Sequence, residues 1–195
     1  MKRICVFSGS NVGNRPAYRQ AAQALGQEMA ARGLGLVYGG ASVGLMGVMA
    51  DTILAGGGEA IGVIPHGLFR REVAHPGLTA LHEVKSMHER KALMADLADG
   101  FIALPGGYGT FDELFEIITW AQLGLHSKPV GLLDAAGYFG PLLALIAHAS
   151  TEGFIPATHA HIVLREESPV RLLDRFATYQ PTFDRNKWTE LPPER

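Results

Sequence analysis

The sequence predicts an α/β fold: a doubly wound, Rossmann-like, mostly parallel sheet of about seven strands flanked by helices. Short apolar segments alternate with longer amphipathic segments from one end of the chain to the other. Most short segments are continuously apolar, as expected for parallel strands that are covered on both faces. Glycine clusters also follow three of these segments, where strand gives way to helix in such a fold.

The elements can be assigned in chain order from apolar content and period. The predicted strands are 4–8, 35–38, 60–64, 78–84, 100–104, 130–133 and 162–164. The predicted helices are 17–32, 45–55, 87–99, 111–123, 138–150 and 169–179. We expect a single domain over residues 1–180 and a C-terminal tail, 181–195, in which prolines lie among charged residues.

Composition excludes several classes of protein. Of the 195 residues, 47% are hydrophobic and 18% charged, which rules out a disordered chain. A net charge of −2 gives no reason to expect nucleic acid as a partner. The single cysteine, Cys5, cannot form an internal disulfide, so we expect a reducing compartment. The N-terminal apolar stretch ends at Phe7, which is too short for a signal peptide, and no run approaches the length of a membrane span. We therefore expect a cytoplasmic protein without a membrane partner, and the low charge suggests a homo-oligomer.

The glycine clusters predict a binding pocket. They lie after the first strand (Gly9, Gly13), the second (Gly39, Gly40, Gly44, Gly47) and the fifth (Gly106, Gly107, Gly109). In a doubly wound sheet, ligands bind outside the carboxyl ends of the strands. Glycine turns allow the backbone to come close to a ligand and to point its amides inward. Three such turns on one edge of the sheet predict a pocket for an anionic ligand.

The segment 101–116 is the most informative, because a buried strand runs through a glycine turn directly into a helix. The N-terminus of that helix is an anion site. The turn lacks the Gly-Lys-Ser/Thr ending of a P-loop, so a single phosphate fits it better than a triphosphate with Mg²⁺. Glu113 has two interpretations here. With Thr110 it forms a capping box, and it also faces whatever ligand the turn holds.

A second segment, 87–94, opens a helix for which Ser86 is the predicted N-cap, with Glu89 completing a capping box. Arg90 and Lys91 place two cations near a helix N-terminus, where the helix dipole disfavours positive charge. Residues that oppose local electrostatics are candidates for a functional role. A guanidinium group can hold a phosphate, a ribose oxygen or a leaving base in fixed geometry.

No pattern in the sequence predicts a metal or an organic cofactor. The eight histidines show no HExxH spacing, and there is no Gly-x-Ser-x-Gly motif for acyl transfer. The segment 68–72 reads as an ordinary polar connection, and its chemistry alone does not single out Glu72.

The motifs Pro105-Gly-Gly-Tyr-Gly-Thr110-Phe-Asp-Glu113 and Met87-His-Glu-Arg90-Lys91 resemble those of the LONELY GUY (LOG) family, and the resemblance extends over nearly the whole chain. It implies a Rossmann-like homodimer that cleaves cytokinin riboside 5′-monophosphates to an adenine-type base and ribose 5-phosphate. By motif position, Arg90 and Glu113 resemble the family's catalytic pair. The resemblance also implies substrate contacts at Glu72, Lys91, Gly107, Tyr108, Gly109, Thr110 and Thr119. We add Ser10, Met87 and Gly106 from the same glycine turns and motifs.

The chemistry agrees with this assignment. When the base departs, an oxocarbenium-like ribose remains, and it needs a nearby carboxylate and a positioned water. Glu113 could supply both functions, while Arg90 would orient the nucleotide and stabilise either the leaving purine or the phosphate. A phosphate in the turn would contribute remote binding energy.

Two other function classes remain open. A protein with this fold could carry a nucleotide or cofactor without turning it over. A pyridoxal-phosphate decarboxylase would need a Schiff-base lysine, and none of the five lysines lies in a recognisable context for one. The residues also leave open whether the preferred base is a prenylated or a plain adenine.

Overall fold

The computed structural model of the chain describes residues 1–66 and 74–181. Within these ranges all seven predicted strands and all six predicted helices are present. The predicted tail, apart from Pro181, and Glu72 both lie outside the described residues. The strands are Arg3–Phe7 (β1), Gly35–Tyr38 (β2), Ala60–Pro65 (β3), Ala80–Val84 (β4), Gly100–Ala103 (β5), Val130–Leu133 (β6) and Val163–Glu166 (β7). The helices are Pro16–Ala31 (α1), Gly44–Ala55 (α2), Met87–Leu97 (α3), Tyr108–Gln122 (α4), Gly140–Thr151 (α5) and Pro169–Ala177 (α6).

The seven strands form one sheet in the order β4-β3-β2-β1-β5-β6-β7, and every pairing is parallel. The chain moves outward from β1 to β4 and then returns to pair β5 with the other side of β1. The direction of winding therefore reverses between β1 and β5. The C-terminal side of such a reversal is where doubly wound sheets open a crevice for ligands.

The core has two layers, one on each face of the sheet, because successive side chains of a strand point to opposite faces. Ile4 and Val6 of β1 pack in a cluster with residues of α1, α2 and α6. Cys5 and Phe7 pack on the other face with residues of α3 and α4. Continuous apolar strands are thus explained by burial on both faces, and the doubly wound fold is confirmed.

Helix α5 is an exception among the helices. Its sequence is largely apolar, yet none of its residues is buried, and Leu145 is 58% exposed.

Among the described residues, no helix combines the length and apolar character needed to cross a membrane.

Candidate active site

The three glycine turns meet at the C-terminal edge of the sheet, around the reversal between β1 and β5. Residues 8–10 follow β1, and the turn 105–107 follows β5. The Gly9 N–H donates to the Pro105 carbonyl at 3.0 Å, which holds these two turns together. Gly44, at the start of α2, has a φ of 61° and lies against the Ser10 backbone, so that a Cβ there would be 2.2 Å from the Ser10 carbonyl carbon. The pocket edge predicted from the glycines is confirmed.

The turn after β5 presents open backbone to this edge. A Cβ added to Gly107 or Gly109 would meet no other atom of the described chain within 4 Å. Gly106, in contrast, is tightly packed, since a Cβ there would lie 2.1 Å from Thr110 Oγ1. The first backbone amides of α4 have no partner within the helix. The turn therefore offers amides and the positive end of the helix dipole to an anion.

The predicted capping box at Thr110 and Glu113 is wrong. Helix α4 begins at Tyr108, and Gly107 is its N-cap, whose carbonyl accepts from the Phe111 N–H at 3.0 Å. Thr110 is the third residue of the helix and is 3% exposed. Glu113 lies almost one turn further along, so Thr110 and Glu113 do not occupy the N-cap and third positions of α4. The predicted box therefore does not start this helix, and Glu113 lines the cavity described below.

The predicted start of α3 is confirmed. The Ser86 side chain accepts from the Glu89 N–H at 3.1 Å, and the Glu89 side chain accepts from the Lys85 N–H at 2.7 Å. This capping fixes the first turn of α3 and places Arg90 at its fourth position. Arg90 points into the molecule rather than into solvent and is 7% exposed.

Arg90 is seated against the glycine that follows β2. A Cβ on Gly39 would lie only 2.2 Å from Arg90 Nη2, so the guanidinium occupies the space that a larger residue would fill. Arg90 Nη1 lies 3.9 Å from the Met87 sulfur. Arg90 Nε is buried and has no hydrogen-bond partner among the described residues. Buried donors normally have partners, so this geometry leaves a donor available for a bound molecule.

Arg90 and Glu113 form an ion pair at the pocket. Nη2 of Arg90 lies 3.7 Å from Oε1 of Glu113, and the two side chains are 8% and 11% exposed. This separation is longer than a hydrogen bond, so the two charged groups are close to each other but not hydrogen-bonded through these atoms. Beneath it, burial raises the pKa of the Cys5 thiol well above its ordinary range, with the Glu113 charge adding to the effect. The thiol therefore stays protonated and is unsuited to act as a nucleophile.

The pair opens into a cavity of about 270 Å³. Predicted site residues form most of its lining: Ser10, Met87, Arg90, Gly107, Tyr108, Gly109, Thr110 and Glu113. A second cavity of about 180 Å³ adjoins the first and shares the lining residues Gly9, Ser10 and Gly107 with it. Gly106 lines this second cavity, and Tyr108 stands at the rim, 93% exposed.

Two predicted substrate contacts, Lys91 and Thr119, do not line the cavity. Lys91 Nζ pairs with Asp112 Oδ2 and Glu116 Oε1, each at 3.1 Å, between α3 and α4. Thr119 lies on α4 in an apolar groove beside α5, and its hydroxyl donates to the Phe115 carbonyl at 2.7 Å. Glu72 belongs to the segment that the structure does not describe.

Comparison with known proteins identifies the family. A family model described as "possible lysine decarboxylase" matches residues 46–176. A probable cytokinin riboside 5′-monophosphate phosphoribohydrolase of Oryza sativa subsp. japonica is 50% identical over 190 residues, which cover 95% of this chain and 85% of that protein. A cytokinin riboside 5′-monophosphate phosphoribohydrolase of Arabidopsis thaliana is 49% identical over 184 residues, covering 94% and 86%. The chain belongs to the LOG family.

Solved structures of lower identity share the LOG fold of this chain. The molybdenum cofactor binding protein of Rippkaea orientalis superposes with a TM-score of 0.69 at 22% identity, covering 91% of this chain and 97% of its own. The molybdenum cofactor carrier protein of Chlamydomonas reinhardtii gives 0.70 at 20% identity, covering 91% and 99%. At these identities the likeness shows the fold alone.

Some residues of the candidate site were not predicted from the sequence. Gly39 was assigned to a glycine cluster but was not connected with Arg90, and the lining residues Ser8, Met46 and Asp112 were not singled out. A signal for Gly39 existed, because two successive glycines directly follow a buried strand. Its connection with Arg90 could not be read, since the two are 51 positions apart and meet only once β2 and α3 are placed.

Proposed function

We propose that the chain hydrolyses the N-glycosidic bond of an adenosine 5′-monophosphate, plain or N6-modified, to the free base and ribose 5-phosphate. The main observation behind this proposal is the buried Arg90–Glu113 ion pair, whose charged atoms are 3.7 Å apart at a cavity beside an open glycine turn. The names of relatives about 50% identical over nearly the whole chain support the same reaction. We propose no metal or organic cofactor for it.

The 5′-phosphate would bind at the turn Gly106–Thr110. Gly107 and Gly109 leave open space, and the amides at the start of α4 point toward it. Helix N-termini bind phosphate because their amides are unpaired and the dipole is positive there. Glu113 follows one turn later on the same helix, so a phosphate held at the turn would keep the ribose near this carboxylate.

Glu113 would act at the anomeric carbon. Positive charge develops on the ribose as the base leaves, and a carboxylate that is only 11% exposed stabilises it more strongly than one in water. The same carboxylate would take a proton from the attacking water. Arg90 would orient the nucleotide, with its buried Nε as a free donor. Ser10, Met87 and Tyr108 would complete the contacts, and contacts through Glu72 and Thr119 remain predictions from the resemblance.

Base release tests this proposal. The protein is incubated with AMP and, separately, with N6-isopentenyl-AMP, and the free base and ribose 5-phosphate are quantified by chromatography. We expect base release from at least one substrate and a ratio of kcat/KM that identifies the preferred base. Arg90→Lys serves as a control, since it keeps the charge but loses the planar fork and should lower kcat strongly. Release of base from neither substrate would refute the proposed reaction.

We also propose that the protein is a cytoplasmic homodimer. The exposed apolar face formed by α4 and α5 supports contact with a second copy of the chain. On this face Phe115 is 41% and Leu145 58% exposed, and a cavity of about 130 Å³ lies between the two helices. Apolar patches of this kind mark interaction surfaces. Light scattering on the purified protein should give the mass of two chains, and Leu145→Glu should shift it toward one. A single-chain mass for the wild type would refute the dimer.

A further inference from the structure

Lys91 is held by two carboxylates of the neighbouring helix. Its Nζ lies 3.1 Å from Asp112 Oδ2 and 3.1 Å from Glu116 Oε1, and its side chain is 11% exposed. Burial lowers the pKa of Lys91, but hydrogen bonds to Glu116 and Asp112 outweigh it, so that the pKa is raised overall. Lys91 is thus a charged, largely buried group whose ammonium is already engaged.

The position of these contacts is the informative feature. Lys91 is next to Arg90 on α3, and Asp112 is next to Glu113 on α4. Three ion pairs therefore join the same two helices: two tight ones through Lys91, each at 3.1 Å, and an open one, at 3.7 Å, between Arg90 and Glu113. Both helices pack on the sheet, and their backbones make few close approaches to each other, so the direct links between them are made by side chains.

The difference in length between the tight pairs of Lys91 and the open pair of Arg90 has a physical consequence. An arginine and a carboxylate facing each other in a poorly solvated site attract strongly. If α3 and α4 were free to shift, the catalytic pair could close to hydrogen-bond distance or separate. A lysine bound to two carboxylates one helical turn apart on α4, at positions 112 and 116, resists both movements.

We propose that Lys91 is a positioning residue that ties α4 to α3 through Asp112 and Glu116 and so fixes the distance between Arg90 and Glu113. This rests on the proposed function of that pair. The resemblance predicts a direct substrate contact for Lys91, and the two ion pairs favour this different role. A misplacement of about 1 Å in a catalytic group can cost about 10²-fold in rate, so a small slip between the helices is sufficient to matter.

A mutant cycle separates the two roles. We compare Lys91→Met, the double variant Asp112→Asn/Glu116→Gln, and the combination of all three changes, measuring kcat and KM for AMP. For Lys91→Met and for the double variant we expect kcat to fall at least about tenfold, with KM within about threefold of wild type. The combination should lose no more than about twofold beyond either, because both changes remove the same tie. Lys91→Arg should retain most of the turnover, and Lys85→Met, at an exposed lysine nearby, serves as the matched control.

Two results would overturn the tie. A rise in KM for Lys91→Met that Asp112→Asn/Glu116→Gln does not reproduce would return Lys91 to the substrate. Additive losses in the combination would show that Lys91 and the two carboxylates act independently. The Tm of the same variants is also measured by thermal unfolding. Losses of Tm that are not additive support the tie between the helices, even if the wild type releases no base. In that case only the proposed function is refuted. Additive losses of Tm would refute the tie itself.

Discussion

The position of the Arg90 side chain depends on the absence of a side chain at Gly39. The guanidinium occupies the volume over Gly39, with a Cβ position 2.2 Å from Nη2, 3.4 Å from Cζ and 3.2 Å from the Met46 sulfur. The closest atom belongs to the end of a flexible side chain, so a methyl group there would displace Arg90 rather than break the sheet. Function and folding can therefore be separated at this position.

Gly39→Ala should lower kcat for base release by about 10²-fold, since it displaces the guanidinium to which the proposed function assigns the orientation of the nucleotide. The Tm should change by only a few degrees, because the backbone is not strained at this position. Kinetics on AMP and thermal unfolding give the two readouts. Gly140→Ala is the control, because a Cβ there would meet no atom of the described residues within 4 Å. This variant should change neither kcat nor Tm. Full activity in Gly39→Ala would show that the position of Arg90 over β2 is not required.

Glu113→Gln should lower turnover by about 10²- to 10⁴-fold, because an amide can neither take a proton nor balance a developing positive charge. Its amide oxygen can still face Arg90, and the N-cap of α4 is Gly107, so the Tm should change little. Calorimetry with AMP should find binding largely retained. Near wild-type hydrolysis by this variant would remove Glu113 from the mechanism.

At the scale of the element, the start of α4 shows where the sequence misleads. Thr110 and Glu113 have the spacing of a capping box, and Gly107 and Gly109 carry low helix propensity, so the pattern places the helix start at Phe111. The helix nevertheless begins at Tyr108, because the packing of Gly106 against Thr110 buries that threonine inside the first turn. Tertiary contact overrides the local signal. The strands and the start of α3, in contrast, depend on local patterns and were predicted.

The connection between α4 and β6 contains a histidine whose neutral form the fold requires. His126 Nδ1 accepts from the Lys128 N–H at 3.2 Å, and Nε2 donates to the Ile117 carbonyl at 2.9 Å. Burial lowers the pKa of His126 from its ordinary value, and the charge of Lys128 lowers it further, although the Ile117 carbonyl opposes them. Below about pH 6.5 the unfolded chain therefore binds this proton more readily than the folded chain does.

The free energy of unfolding should accordingly fall as the pH drops below about 6.5, with a share from His126 of at most about 1.4 kcal/mol per pH unit. His126→Gln should flatten this dependence, since it removes the titrating group. Urea unfolding at pH 7.5 and pH 5.5 for both proteins checks the prediction. Equal losses of stability in the two proteins would show that other groups account for it.

At the scale of the whole molecule, the sheet order brings distant segments to one edge. Glycine turns after β1, β2 and β5 converge because these three strands are neighbours, with β1 between the others. The sequence predicts strands and a common ligand edge, but it does not state which strands are adjacent. The pocket could therefore be predicted from the sequence, whereas the contact of Arg90 with Gly39 and the ion-pair partners of Lys91 could not.

With this arrangement, the proposed function predicts that the 5′-phosphate is decisive for catalysis. The open turn at Gly107 precedes Glu113 by less than two helical turns, so a phosphate bound there would hold the ribose against the carboxylate. Beyond the turn, the second cavity offers no charge to a further phosphate: among its described lining residues, none is lysine or arginine. A monophosphate therefore fits this site better than a nucleoside, which lacks the anchor, or a di- or triphosphate, which lacks a counter-charge.

Kinetics with adenosine, AMP, ADP and ATP, without added metal, test this preference. We expect kcat/KM for AMP to exceed that for adenosine by about 10²-fold or more, because binding energy at the phosphate is used at the reacting carbon. ADP and ATP should also be poor substrates. Gly107→Val should abolish the preference along with activity, since its side chain would fill the space now open to the ligand. Equal rates for adenosine and AMP would show that the turn does not hold phosphate, and the nucleotide assignment would then fail with it.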